Sequence, residues 1–599
     1  MKLSDYVIDF LALRGVKHVF MLSGGASMHL NNSLGKHPDV KYVCNLHEQA
    51  CAVAAEAYAR VTNSLGVVMV TAGPGGTNTI TGLAAAWLDS TPVLFLSGQV
   101  KRSDLKRDSG VRQLGVQEID IISLVFPITK YAVTVMDPES IRFHLEKALY
   151  LAKSGRPGPV WLDIPLDVQG AQIDPDKLSS FDTESAEILP AFNQDDGSIP
   201  NIMELFNQSE RPVILVGNGV RIAGAENLFR DLVKLLNIPV LTTRLGVDLL
   251  PSSHSLCFGM PGLIASRAAN FTLQNSDLLL ILGARLDMAM IAYAPDKLAR
   301  EAKKIMVNND PHEINKFKGL IDLPVCTDIK DFLKTLLTQT RGIEAKNRNP
   351  WLARCRDWKT KYPFVTAEQL GEVAGINTYM FSHVMGDLLV ENDIILPGSS
   401  GVACEIFLTA FRVKEGQRVF HNKGTGAMGF SQPSGIGACL AANRQRIICV
   451  DGDGGFMMNI QELETVKRLD LPIKFFVMNN GGYASIRMSQ QTYFGSLTAA
   501  DETSNMTLPD IGNIVRAFGL PAVKMENPLT LRKELEIFLN APGPGVCEVM
   551  VIRDEPRIPR VVSTKRPDGS MVSKPLEDLY PFLDRAEFLE NMVVSTIEE

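Results

Sequence analysis

Short, strongly apolar runs alternate with helical stretches along most of this chain, and that alternation narrows the folds open to it more than any other feature. The runs VKHVFML, VKYVCNL, LGVVMVTA, TPVLFLSG and GPVWLDIP read as buried strands. Segments such as EQACAVAAEAYARV and TNTITGLAAAWLD follow several of them with helical spacing. The pattern predicts parallel sheets covered by helices. It returns in a second block (RPVILVGNGV, IPVLTTRLG, SDLLLILGARLD, KKIMVNND) and in a third (NDIILPGSSG, RIICVDGDGG, LPIKFFVMNNGG, GVCEVMVI).

A chain of 599 residues is too long for one hydrophobic core. The expected fold class is α/β, with three doubly wound parallel-sheet domains. We place the first domain at 1–170, a polar linker at 171–195, the central domain at 196–340 and a second linker at 341–376. A third domain then spans 377–556 and a tail 557–599.

The balance of 60 basic against 67 acidic residues leaves a net charge of −7, and no basic cluster is interleaved with aromatics, so nucleic acid is not an expected partner. Nine cysteines without a C-x-x-C pair read as reduced thiols of a cytoplasmic protein. The N-terminus carries Asp5 and Asp9 where a signal peptide is basic, and no apolar run is long enough for a bilayer. No membrane partner is expected.

The strongest chemical signal lies in the third block. The strand RIICVDGDGGF runs into an acidic, glycine-rich turn, and MNIQELETVKRL continues with helical periodicity. A strand, a glycine turn and a helix N-terminus aim free backbone N–H groups and the helix dipole at an anion such as a diphosphate. The next strand, PIKFFVMNN, ends at Asn479 and Asn480, followed by Gly481, Gly482 and Tyr483. In a parallel sheet both strand ends emerge on one edge. Asp453, Asn480 and a backbone carbonyl at Gly482 would then supply protein oxygens to Mg2+, with phosphate and water completing the octahedron. Alone, Gly452-Asp453-Gly454 is a weak signal that also suits an acidic β-turn.

These residues resemble the diphosphate motif of the thiamine-diphosphate-dependent enzymes, with Gly455 and Tyr483 beside it. Three further segments resemble the family in the same order: Leu46-His47-Glu48-Gln49-Ala50, the loop Ala72 to Asn78 (AGPGGTN), and GTGAMGF with Gly426 and Met428. The likeness covers nearly the whole chain and is closest to acetolactate synthases. It implies that Glu48 holds the cofactor's aminopyrimidine, although a glutamate at a helix N-terminus is also favoured by the dipole. Gly24, Gly73, Asn78, Gly398, Ser399 and Ser400 are implied cofactor contacts. Met428 would bend the cofactor, unless it is core filler. Gln117, in Val116-Gln117-Glu118, would hold a substrate oxygen, unless it is an ordinary surface glutamine.

The activity so implied is decarboxylation of a 2-keto acid, with pyruvate as donor, and transfer of the acyl unit to a second carbonyl. A homodimer or homotetramer with active sites at the subunit interface is also implied. Val116, Gly401 and Val402, and the stretch GGYASIRMSQQTYF, depart from acetolactate synthases. That stretch resembles the acetolactate-synthase-like proteins of polysaccharide and branched-sugar pathways, so a keto-sugar acceptor stays open, as does hydrolysis of a cyclic diketone. Gly283-Ala284-Arg285-Leu286-Asp287 resembles the start of a flavin-binding run that Met288 and Ala289 break, and Pro261 stands where a flavin-contacting His is common. FAD therefore stays open as a further cofactor. The tail is expected either to cover the active site or to pack as a peripheral helix on its own domain.

Overall fold

The structure is a computed structural model that describes all residues except 184–197, 340–345, 372–373, 400, 566–568, 570 and 598–599. Three parallel sheets organise the chain, as the strand–helix alternation predicts. The first contains β1 (His18–Met21), β2 (Lys41–Cys44), β3 (Gly66–Val70), β4 (Val93–Gln99), β5 (Tyr131–Thr134) and β6 (Val160–Pro165). The second contains β7 (Pro212–Val216), β8 (Val240–Thr242), β9 (Leu278–Leu282), β10 (Lys303–Asn308) and β11 (Leu323–Cys326). The third contains β12 (Ile394–Pro397), β13 (Arg418–Val419), β14 (Ile447–Gly452), β15 (Ile473–Asn479), β16 (Ala522–Met525) and β17 (Gly545–Met550).

The first sheet has the order β2-β1-β3-β4-β6-β5 and the third β13-β12-β14-β15-β17-β16. Counted within each domain, the two orders are the same. The central strands are largely apolar because helices cover both faces: every residue of β4 is buried, from Val93 to the polar Ser97 and Gln99 at its carboxyl end. The central sheet runs β11-β10-β9-β7-β8, and its order reverses between β9 and β7.

The first and third domains share one core, in which Phe20, Ala55 and Phe95 join Ile394, Ile436 and Phe475. Its spine is a pair of helices, Glu48–Thr62 and Ser431–Ala441. Alanine dominates the first, giving high helix propensity with little bulk. Asn63, left-handed at φ 48°, ends it. The two helices pack so closely that a Cβ on Gly437 would lie 2.0 Å from the Ala54 carbonyl oxygen.

The stretch 341–376, which reads as linker, contains the helix Asn349–Lys361, and Trp351, Leu352, Cys355 and Trp358 of that helix enter the central domain's core. The tail also packs there, through Leu576, Leu579 and Phe588, while its first residues, Arg557 and Ile558, contact Glu405 and Tyr379 of the third domain. Trp358 Nε1 donates to Asn591 Oδ1 (2.8 Å) in the helix Arg585–Asn591. Among the described residues no helix is long and apolar enough to cross a membrane.

Candidate active site

Register brings the third-domain residues together. Gly452 pairs with Met478 across β14 and β15, so the two strands end side by side. The helix Asp453–Met457 starts immediately beyond the first. Asp453 is 2% exposed. Its Oδ2 accepts the N–H groups of Asn480 (3.1 Å) and Gly482 (2.9 Å), and its Oδ1 that of Gly454 (2.7 Å). Burial pushes this carboxyl above its ordinary value, while those backbone donors pull it back. Gly482, at φ +124°, has no room for a side chain, since a Cβ would lie 2.5 Å from the Ala500 carbonyl oxygen. Gly454 lies under the Tyr483 ring, 2.3 Å from where its Cβ would be.

Asp451 is a partner that the sequence reading missed. It is buried, its Oδ1 accepts the N–H of Gly452 (2.8 Å), and burial pushes it up to about 6. The same oxygen explains two glycines, because a Cβ on Gly398 or Gly455 would lie 2.7 or 2.5 Å from it. The first aspartate of Asp451-Gly452-Asp453 was the available signal. Ser399 follows at the end of the adjacent strand β12; Ser400 lies outside the described residues.

The first-domain residues gather at the matching edge of their own sheet. Met21 pairs with Cys44 and with Met69, so the segments after β1, β2 and β3 emerge together. Glu48 is buried at the first position of its helix, whose start His47 caps by accepting the Gln49 N–H. Asn78 Nδ2 donates to Glu48 Oε2 (2.9 Å), so the two predicted residues meet. Gly24 packs on Thr71, whose Cβ is 2.4 Å from where a Gly24 Cβ would be. Gly73, at φ +63°, lies against the backbone of Gln117, itself at φ 63°. Gln117 is exposed; its neighbour Glu118 is buried and accepts from the backbone of Lys106, Leu114 and Gly115.

The loop bearing Gly426 and Met428 connects the domains. Asn459 Nδ2 donates to the Gly429 carbonyl (2.7 Å) and lies 3.5 Å from Gln49 Oε1, one residue beyond Glu48. Glu462, fully buried, accepts from Asn45 Nδ2 (2.9 Å) and the Leu46 N–H (2.8 Å). This third-domain carboxylate thereby fixes the segment leading into Glu48. Arg60 makes a second link, binding Glu56, Asp89 and the His421 carbonyl. Asp89 in turn accepts the Lys423 N–H (3.0 Å). Met428 is exposed, and a Cβ on Gly426 would meet nothing within 4 Å.

Two buried atoms test whether a metal and a diphosphate fit. Asn480 Oδ1 and Ser399 Oγ have no hydrogen-bond partner, and a buried polar atom left unpaired is costly. Both belong to turns at the same sheet edge as Asp453. The donor set is oxygen only: one carboxylate, one free amide oxygen and the backbone of Gly482. That chemistry suits Mg2+ and not a soft metal. The residues fit the group.

A separate cavity of about 280 Å3 opens at the carboxyl end of the central sheet, where its order reverses. Asn218, Gly219, Thr243, Gly283, Arg285 and Asn308 are among its lining. Gly217 and Gly283 let two backbones touch there. Arg285 donates to the Leu88 carbonyl (2.6 Å), and Lys423 pairs with Asp287 (3.2 Å), so both residues of the flavin-like run are tied to neighbouring domains.

With this geometry, the comparisons with known proteins agree along the chain. Residues 1–124 match the description "Thiamine pyrophosphate enzyme, N-terminal TPP binding domain", 199–336 the central domain, and 399–549 the C-terminal TPP binding domain. The acetolactate synthase large subunit of Cyanidium caldarium is 31% identical over 573 residues, 93% of this chain and 94% of the relative. That of Lactococcus lactis subsp. lactis (strain IL1403) is 31% identical over 93% and 94% of the two chains. A probable acetolactate synthase large subunit of Methanocaldococcus jannaschii is 32% identical over 92% of each. Three matched domains in order, on three parallel sheets with a diphosphate turn at the expected strand ends, make this chain a member of the thiamine pyrophosphate enzyme family, of the acetolactate synthase-like kind.

Proposed function

We propose that this protein is a carboligase that decarboxylates a 2-keto acid, with pyruvate as donor, and joins the acyl unit to a second carbonyl compound. The observation that carries the site assignment is the unpaired Asn480 Oδ1 beside Asp453. It is a buried amide oxygen of the kind Mg2+ takes, at a turn whose backbone donors already hold the carboxylate in place. Asp453, Asn480 and the Gly482 carbonyl would hold Mg2+, and Gly398, Ser399 and Gly452 to Gly455 would approach the diphosphate. Thiamine diphosphate, when bound, supplies the electron sink for cleaving and forming bonds next to a carbonyl.

Glu48 would hold a proton at the pyrimidine ring of the bound cofactor, and Asn78 orients the Glu48 carboxylate. Burial in an alanine-rich surrounding keeps water from competing for that hydrogen bond. Gln117 sits at the mouth of this half-site, where it meets substrate.

The proposed assembly is a homodimer or homotetramer in which the first-domain half-site of one subunit faces the third-domain half-site of another. Exposed Leu114 and Val116 flank Gln117, Leu46 precedes Glu48, and Met428 and Met458 adjoin the third-domain turn. A partner subunit would remove this apolar surface from water. The central cavity is where FAD would lie, held by Asn218, Thr243 and backbone, since Arg285 and Asp287 are engaged elsewhere. A flavin absorbance band in the purified protein tests that assignment. The cytoplasm is the proposed location.

The test of the reaction is carbon dioxide release from pyruvate with thiamine diphosphate and Mg2+, comparing wild type with Glu48→Gln. Removing an acid–base group of this kind lowers the rate by about 10²–10⁴-fold. Equal release by the variant would refute the role of Glu48.

A further inference from the structure

A cavity of about 560 Å3 lies beside the cofactor turn, bounded by the helix Ala484–Phe494, the segment after β17 and the beginning of the tail. It shares walls with the site. Val402 follows the β12 turn, and a Cβ on the adjacent Gly401 would lie 3.5 Å from Ser485 Oγ. Arg487, on the same lining, donates to the carbonyls of Asn480 (3.0 Å) and Gly481 (3.2 Å).

Four arginines line this cavity: Arg487, Arg553, Arg557 and Arg560. Two are committed locally, Arg487 to the metal turn and Arg553 to Asp501 (2.5 Å). The other two are not balanced. Arg557 is 8% exposed; one nitrogen meets Glu405 and Ser485 Oγ, and the other lies 3.3 Å from the sulfur of Met488. The Arg560 guanidinium has no carboxylate partner among the described residues, and its contact is the same Met488 sulfur, at 3.4 Å. A thioether is a weak acceptor. Two guanidinium groups thus converge on one sulfur; among the described residues Glu405 alone pairs with them, while the carboxylates of the lining are engaged elsewhere, Asp501 with Arg553, Asp554 with Arg487 and Glu555 with the Thr378 N–H. Like charges held this close in a partly desolvated cavity call for an anion.

Resting on the carboligase reading above, we propose that this cavity binds a phosphate or diphosphate group carried by the second substrate, the carbonyl acceptor. Arg557 and Arg560 hold the anion by forked hydrogen bonds. Val402, Met488, Leu497, Ile558 and Tyr580 give the rest of the molecule an apolar wall leading toward the cofactor turn. The volume far exceeds what a three-carbon keto acid fills. The tail has a function here, since Arg557, Arg560 and Tyr580 all come from it.

The experiment uses protein loaded with thiamine diphosphate and Mg2+, so that the cofactor site is filled. Calorimetric titration with inorganic pyrophosphate is expected to show binding that weakens about tenfold or more in Arg560→Gln and is largely kept in Arg560→Lys. No binding by wild type, or equal binding by Arg560→Gln, overturns the proposal. With pyruvate as donor, D-glyceraldehyde 3-phosphate is expected to be used in preference to D-glyceraldehyde, and the preference to collapse in Arg560→Gln. Pyrophosphate binding without that preference would make this a site for a free anion and overturn the substrate assignment. Carbon dioxide release by wild type reports the carboligase reading separately: its absence counts against that reading whatever the titration shows.

Discussion

Replacing Arg60 by methionine should damage both stability and cofactor binding, for one physical reason. Arg60 donates to Glu56 Oε1 (2.6 Å), Asp89 Oδ2 (2.7 Å) and the His421 carbonyl (3.0 Å), and both carboxylates are fully shielded from water. Burial raises Glu56 despite Arg60; at Asp89 burial also raises the carboxyl, but Arg60 outweighs it and holds it below the usual range. Methionine keeps the packing and removes the charge, leaving Glu56 without its cation and Asp89 with only the more distant Arg285 at 3.6 Å. Breaking such a pair costs about 3–5 kcal/mol. For a domain of this size that is a fall of roughly 6–20 °C in the unfolding midpoint. Burial already holds Glu56 above its ordinary value with Arg60 in place, and without Arg60 it rises further. Its contribution to stability is then retained at low pH, where it is protonated, and lost as pH rises through the folded value. The deficit against wild type should therefore be smaller near about pH 5 than near about pH 8. Asp89 also anchors Lys423, so thiamine diphosphate should bind Arg60→Met more weakly through the loosened loop bearing Met428. Scanning calorimetry at fixed scan rate and cofactor titration measure the two effects. A midpoint within about 2 °C of wild type at neutral pH would refute the argument.

Gly437→Ala should separate the first and third domains or destabilise them by about 1–3 kcal/mol or more, because its Cβ would meet the Ala54 carbonyl at 2.0 Å. Gly15→Ala, at φ +83° with nothing within 4 Å, is the control and should cost only about 1 kcal/mol; limited proteolysis and thermal midpoints compare them. Asp163, accepting from Ser97 and Gln99, is pushed up to about 7 by burial. Its folded value exceeds the unfolded one, so its contribution is complete in acid and is lost as pH rises through about 7. Asp163→Asn should flatten the decline in thermal midpoint between about pH 4 and pH 7, and an unchanged slope would exclude Asp163 as its source.

Local patterns sufficed for much of this protein. Strands buried on both faces have continuous apolar runs, so three parallel α/β units were legible in β4, β9 and β15. Asp453 and Asn480 could be paired from sequence because parallel strands end on one edge, and Asn78 met Glu48 because both segments leave the same sheet. The conformations of Gly73 and Gly482 also agree with glycine where the backbone turns left-handed.

Tertiary structure decided the rest. Glu462 acts on Leu46 across 416 positions, and no local signal marks it. Nothing near Arg60 in the sequence marks its role, and only the fold brings Asp89 and the His421 carbonyl to it. The tail's destination was ambiguous because an amphipathic helix shows which face it buries but not which neighbour will cover it. Arg557 and Arg560 are only two charges among many until folding brings both to the Met488 sulfur. Sequence determined which segments form strands and turns, since those depend on neighbours a few residues away. Where distant charges meet depends on how the three sheets pack, and only the folded chain contains that information.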